Sequence, residues 1–133
     1  MSNAATSSPR WDPAFIADVI KAYDVRGLVD EQITVDFVRA VGQSFSRLMR
    51  SEGALSVVVA HDMRDSGPEL AEAFAEGVTE QGLNVINIGL ASTDEMYCAS
   101  GLLQVPGAMF TASHKPAAYN GINLCRAGAR PVG

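Results

Sequence analysis

Cysteine is scarce in this 133-residue chain: the two present, Cys98 and Cys125, stand 27 positions apart with no C-x-x-C partner. That spacing excludes a zinc-ribbon site and a disulfide-dense secreted scaffold, and it predicts reduced thiols in a cytoplasmic setting. Long apolar runs are also missing. The longest are four or five residues, as in Val57 to Ala60, far short of the roughly 20 needed to cross a bilayer. The N-terminal residues lack the basic region and apolar stretch of a signal peptide. Cationic excess is absent too: 10 Lys and Arg face 15 Asp and Glu, a net charge of -5. A nucleic-acid or anionic-membrane surface is therefore disfavoured as the main partner. Disorder is not expected either, because 47% of the residues are hydrophobic and only 19% charged. A chain of this size buries about 65–70% of its unfolded surface, enough for one core without a metal or disulfide staple.

What is present alternates between two periodicities. Residues 1–11 carry neither and read as a flexible leader, leaving 12–133 as one domain. Asp12-Pro13 resembles a helix cap and first turn, with Phe15, Ile16, Val19 and Ile20 on one face. Ile20 to Val25 reads equally as the start of a strand. From Thr34 the stripe Phe37, Val38, Val41, Phe45, Leu48 and Met49 predicts a helix ending at Gly53. Leu55 to Ala60 predicts a strand buried on both faces. Ser66-Gly67-Pro68-Glu69 spells a capping box for a helix through Leu70, Phe74 and Val78 to Gly82. The pattern then repeats. Leu83 to Ile88 predicts a strand, Ser92 to Glu95 caps a helix with Met96, Ala99, Leu102 and Leu103, and Ala108 to Ala112 forms a further strand. Asn120-Gly121 predicts a turn that launches a last strand, Ile122 to Cys125. Helices between short apolar strands imply βαβ crossovers, hence an α/β, three-layer αβα domain with a mixed, largely parallel sheet.

In such sheets function gathers where strands end. Three segments put polar groups there: Tyr23 to Gly27, His61 to Ser66, and Thr111 to Pro116 running into Tyr119-Asn120-Gly121. Singly, each fits a turn or cap; together they suggest a convergent anion site. Ser113 follows a strand, beside His114, in a loop whose Pro116 drives Lys115 into extended backbone. A hydroxyl held there can act as a nucleophile or phosphate carrier, or simply satisfy loop backbone groups. The Gly-x-Ser-x-Gly elbow of a hydrolase is absent.

Thr111-Ala112-Ser113-His114-Lys115-Pro116-Ala117-Ala118-Tyr119-Asn120-Gly121 resembles the phosphoserine loop of the α-D-phosphohexomutases, the family containing phosphomannomutase and phosphoglucomutase. Lys21 to Gly27 resembles that family's opening motif, and Asp62 to Leu70 its second loop and helix start. Tyr119 ahead of Asn120-Gly121 leans toward the phosphomannomutase and phosphoglucomutase branch. The resemblance implies an intramolecular phosphotransferase. Ser113 would carry a phosphoryl group, pass it to a hexose monophosphate to form a bisphosphate, and recover a phosphoryl from the other oxygen. It also implies that the Ser113 phosphoryl ligates Mg²⁺, that hexose 1,6-bisphosphate activates, and that Tyr23 borders the substrate. His114, Lys115, Arg26 and Arg64 would flank the group in flight, with both arginines close to Ser113.

Two departures qualify the implied activity. The family has Asn after the Ser-His pair and Lys two residues after Asn-Gly, whereas this chain has Lys115 and Asn123. An amide neither takes nor gives a proton at neutral pH, so the usual acid/base group is missing from its place. The family is also built of four domains, with an Asp-rich metal loop in the second. This chain has no Asp-x-Asp-x-Asp run, so it resembles the first domain alone, or a truncated product. The remaining domains and a hexose phosphate are thus the implied partners. The alternative is a non-catalytic phosphate-binding or interaction domain, a relic of the mutase.

Overall fold

The computed structural model describes residues 24–28, 33–111 and 119–130, with side chains over 33–111 and 120–130. The expected leader, the helix expected from Asp12, Tyr23 and the Ser113-His114-Lys115 segment lie outside the described residues.

Among the described residues eight elements follow one another: β1 (Asp24–Leu28), α1 (Val35–Ser51), β2 (Ser56–His61), α2 (Gly67–Glu80), β3 (Asn84–Leu90), α3 (Thr93–Leu103), β4 (Gly107–Phe110) and β5 (Tyr119–Cys125). Thr34 opens α1, its hydroxyl accepting from Phe37 N at 3.1 Å. Ser92 and Glu95 form the full capping box of α3. The box expected at Ser66 does not form. Ser66 already has helical backbone (φ -75°, ψ -12°), which turns its hydroxyl away from the amides of the first turn, and it makes no cap bond.

The strands form one sheet in the order β1-β5-β4-β2-β3. β2 pairs in parallel with β3 and β4, while β5 is antiparallel to both β1 and β4. The sheet is therefore mixed and largely parallel. Side chains alternate between its faces. Val57, Val59, Ala108, Phe110, Ile122 and Leu124 pack under α1 and α2; Val58, Ala60, Met109 and Cys125 pack with Met96 of α3. These are the three layers expected. Phe74 joins the first core, with ring centroids 6.1 Å from Phe45 and 5.6 Å from Phe110. Both cysteines are free, Cys98 exposed and Cys125 buried. Burial pushes the Cys125 thiol up from its ordinary value, partly offset by hydrogen bonding with Ser100 and the Gly107 backbone.

Several expected boundaries move. Leu55 is 76% exposed and precedes its strand; Leu102 and Leu103 are exposed at the end of α3, where only Met96 and Ser100 are buried. The expected Asn120-Gly121 turn is strand: both residues lie inside β5, opposite Gly27 and Arg26 of β1. Arg26 accordingly sits within β1 rather than after it. At the other edge, β3 carries a register irregularity beside Val59 and Ala60, and Gly89 adopts φ +71°. No helix among the described residues is long and apolar enough to cross a membrane.

Helices α1 and α2 meet at two glycines. A Cβ on Gly42 would lie 2.5 Å from the Phe74 carbonyl oxygen, and one on Gly77 would strike the Arg39 carbonyl and lie 2.9 Å from Gln43 N. Those are backbone atoms of the facing helix, which cannot swing aside. Gly101 in α3 meets nothing within 4 Å. Gly77→Ala is expected to destabilise the domain by about 1–3 kcal/mol in urea unfolding, the clash exceeding the helix-propensity gain. Gly101→Ala is expected to stabilise it by about 0.5–1 kcal/mol.

Candidate functional site

Because β1, β2, β3 and β4 run the same way, their C-terminal ends share one edge of the sheet. β5 begins at that edge, since it runs against its neighbours. Residues 112–118 connect the end of β4 to the start of β5, so both anchors of the Ser113 segment stand there. Two bonds close its base: Thr111 N–H donates to the Gly121 carbonyl at 3.1 Å, and Asp62 N–H to the Phe110 carbonyl at 3.0 Å. Thr111 is 7% exposed.

Arg64 leaves the same edge from β2. Asp62 holds it twice, Oδ1 accepting from Arg64 N at 3.0 Å and Oδ2 lying 3.4 Å from Nε. The Arg64 side chain is only 11% exposed. The turn therefore fixes a cation with little freedom, since the carboxylate grips its backbone and its side chain together. Arg26 is brought to this edge by register, opposite Gly121, and its backbone is what the structure describes there. Asn123 lies farther along β5, paired with Met109 and Asp24, on the sheet face that carries Met109 and Cys125.

Two polar residues here escaped the sequence reading. Asn120, fully buried, accepts from Gly121 N at 2.8 Å and donates to Ser66 Oγ at 2.7 Å. The Asn-Gly pair spelled a turn and Ser66-x-x-Glu69 spelled a box, so both side chains were assigned local jobs. Their partnership spans 54 positions. The one available signal was that each belongs to a motif carrying the resemblance. Among the described residues no group of three or more His, Cys, Asp or Glu could hold a metal ion.

Residues 17–133 match the family described as phosphoglucomutase/phosphomannomutase, alpha/beta/alpha domain I. The chain is 38% identical over 115 residues to a phosphomannomutase of Vibrio cholerae, covering 84% of this chain and 25% of that protein. It is 40% identical over 121 residues to phosphohexose mutases of Xanthomonas campestris, covering 90% and 25%. A phosphoglucomutase/phosphomannomutase family protein of Burkholderia thailandensis superposes with a TM-score of 0.77 at 34% identity, covering 83% of this chain and 26% of that one. The chain thus spans about a quarter of the length of the relatives it matches.

Asn120→Ala removes the acceptor of a buried amide, which water cannot readily replace. It is expected to cost about 1–3 kcal/mol in urea unfolding. Asp62→Asn, at a pair that water reaches, is expected to cost about 1 kcal/mol or less.

Proposed function

Because the chain belongs to the phosphoglucomutase/phosphomannomutase family as its domain I, we propose that it is the phosphoserine domain of an enzyme interconverting hexose 1-phosphate and 6-phosphate. The observation that supports this reading most is the gathering of three family-like motifs at one sheet edge: the Arg26 register position, the braced Arg64, and both anchors of the Ser113 segment. Sequence distance does not produce that gathering; topology does.

In this reading Ser113 Oγ carries the phosphoryl group. Its Oγ–P bond breaks as a sugar hydroxyl oxygen bonds the phosphorus, and the proton that hydroxyl releases ends on Ser113 Oγ, giving a hexose bisphosphate and free serine. The bisphosphate, turned around, then returns its other phosphoryl to Ser113. The transition state spreads negative charge over the phosphoryl oxygens, so fixed cations aimed at them lower the barrier. Arg64, Arg26 and Lys115 supply that charge, His114 borders the serine, and Tyr23 lines the sugar side. A hexose 1,6-bisphosphate recharges an unphosphorylated serine. The described residues do not build a site for the Mg²⁺ that the resemblance implies, and the Asp62 carboxylate at this edge is committed to Arg64. The rest of a four-domain protein provides the sugar contacts, and the whole works in the cytoplasm without nucleic acid or membrane.

Intact mass spectrometry of gently purified protein is expected to show one added phosphoryl group, absent in Ser113→Ala. A mass that stays unmodified after incubation with glucose 1,6-bisphosphate, in protein carrying all four domains, overturns the phosphoserine role. The 133-residue chain alone is expected to show no turnover of mannose 1-phosphate.

A second reading, a non-catalytic relic, is favoured by one residue. Asn123 stands where the family has its proton-transfer Lys, about 7 Å along β5 from Gly121. A Lys at that position would have to extend its stem along the sheet to reach the edge. In a four-domain background Asn123→Lys is expected to raise the catalytic rate and Lys115→Asn to lower it. If both are silent, neither position handles the proton, and the relic reading gains.

A further inference from the structure

The Ser66–Asn120 hydrogen bond carries an assignment that neither motif suggests alone. Ser66 lies two residues beyond Arg64, at the entrance to α2, and its hydroxyl does no capping. It receives Asn120 Nδ2 at 2.7 Å. The orientation of the Asn120 amide is not free. Gly121 N–H can only donate, so Oδ1 must face it at 2.8 Å, and Nδ2 must face Ser66. Asn120 and Gly121 are both buried. The Gly121 carbonyl in turn holds Thr111 N–H at 3.1 Å, on the other side of the 112–118 segment. One continuous path of hydrogen bonds therefore runs from the Arg64 turn, through Ser66 and Asn120, to both anchors of the segment bearing Ser113.

We infer that Ser66 is a positioning residue: through Asn120 it holds the Arg64 turn against Thr111 and Asn120-Gly121, the residues from which the chain bearing Ser113 leaves and returns. The inference rests on the phosphoserine reading. Without the Ser66 hydroxyl, a buried carboxamide loses its acceptor and must rotate or shift to find another, releasing Gly121 N–H as it does so. The two arms of the site then lose their common brace. Phosphoryl transfer depends on positioning and charge rather than on covalent participation, and a misplacement of about 1 Å can cost up to about 100-fold.

The test uses a four-domain protein containing this chain, with Ser66→Ala, Ser66→Cys, Ser66→Thr and Ser113→Ala. Rates with mannose 1-phosphate and glucose 1-phosphate, thermal midpoints and the phosphoryl content of Ser113 are measured for each. Ser66→Ala is expected to lower kcat about 10-fold with KM changed by less than about twofold. Ser66→Thr, which keeps the hydroxyl, restores most of kcat, and Ser66→Cys, a weaker acceptor of similar size, falls between. Unchanged kcat in Ser66→Ala, a loss confined to KM, or a folded Ser66→Thr as slow as Ser66→Ala overturns the inference. Should Ser66→Ala not fold, the order of Thr above Cys in kcat decides in its place. Ser113→Ala separates the two levels: if it retains activity the phosphoserine reading fails, whereas if it is inactive and Ser66→Ala is normal, only the role of Ser66 fails.

Discussion

The reversal of β5 is the constraint on which the remaining geometry depends. Inserted between β1 and β4 and antiparallel to both, it begins at the edge where its neighbours end. Were β5 parallel to them, the chain after β4 would have to cross back to the far edge, and the segment with Ser113 would be drawn along the sheet. With β5 reversed, the segment leaves and returns on the edge that also receives the turn after β2. A single choice of strand direction thus sets Thr111 and Tyr119, the two residues that bound the 112–118 segment, at the edge that carries the Arg64 turn.

The edge that carries Arg64 rests on tightly packed layers. Val58, Val59 and Ala60 are completely buried, as are Phe45, Phe74 and Phe110 on the side of α1 and α2. Close approach of those helices at Gly42 and Gly77 leaves little room for relative movement. Among the described residues four buried polar ones interrupt the apolar interior: Ser46, Ser100, Thr111 and Asn120. Ser100 occupies the opposite end of the domain, where its hydroxyl donates to the Val105 carbonyl at 2.6 Å and accepts from Ala129 N at 3.0 Å. An Arg126–Glu52 ion pair fastens the same region to the end of α1. Thr111 and Asn120 lie at the edge that carries the Arg64 turn. Buried Ser100 and Asn120 therefore mark places where distant chain segments are held in register, whereas the Ser46 hydroxyl, inside α1, has no hydrogen-bond partner.

Local signals were legible in the sequence and distant ones were not. The Thr34 cap, the apolar stripe of α1 and the box at Ser92 to Glu95 involve neighbours within four positions, and the structure shows all three. Ser66 carries the same S-x-x-E spelling as Ser92, yet tertiary contact with Asn120 claims its hydroxyl. Asn120-Gly121 has the composition of a tight turn, but pairing on both sides draws it into β5. Leu102 and Leu103 continue an apolar pattern that ends exposed, because α3 covers only part of its face of the sheet. For the site, the three motifs and their order were readable; that a buried amide joins two of them was not, because nothing local records a contact across 54 positions.

The kink in β3 bears on how the domain behaves in company. An outer strand with a regular row of open amides and carbonyls invites another chain to add to it. Here Gly89 turns to positive φ, and its N–H, which would otherwise face outward, is taken by the Asn87 side chain at 2.7 Å. The irregularity opposite Val59 and Ala60 further breaks the row. The usable stretch is shortened to the residues before Asn87, fewer than the roughly five to six of a common strand. This rim of the sheet is thereby protected against the edge-to-edge association that leads to aggregation, and the protection comes from backbone geometry rather than from charge.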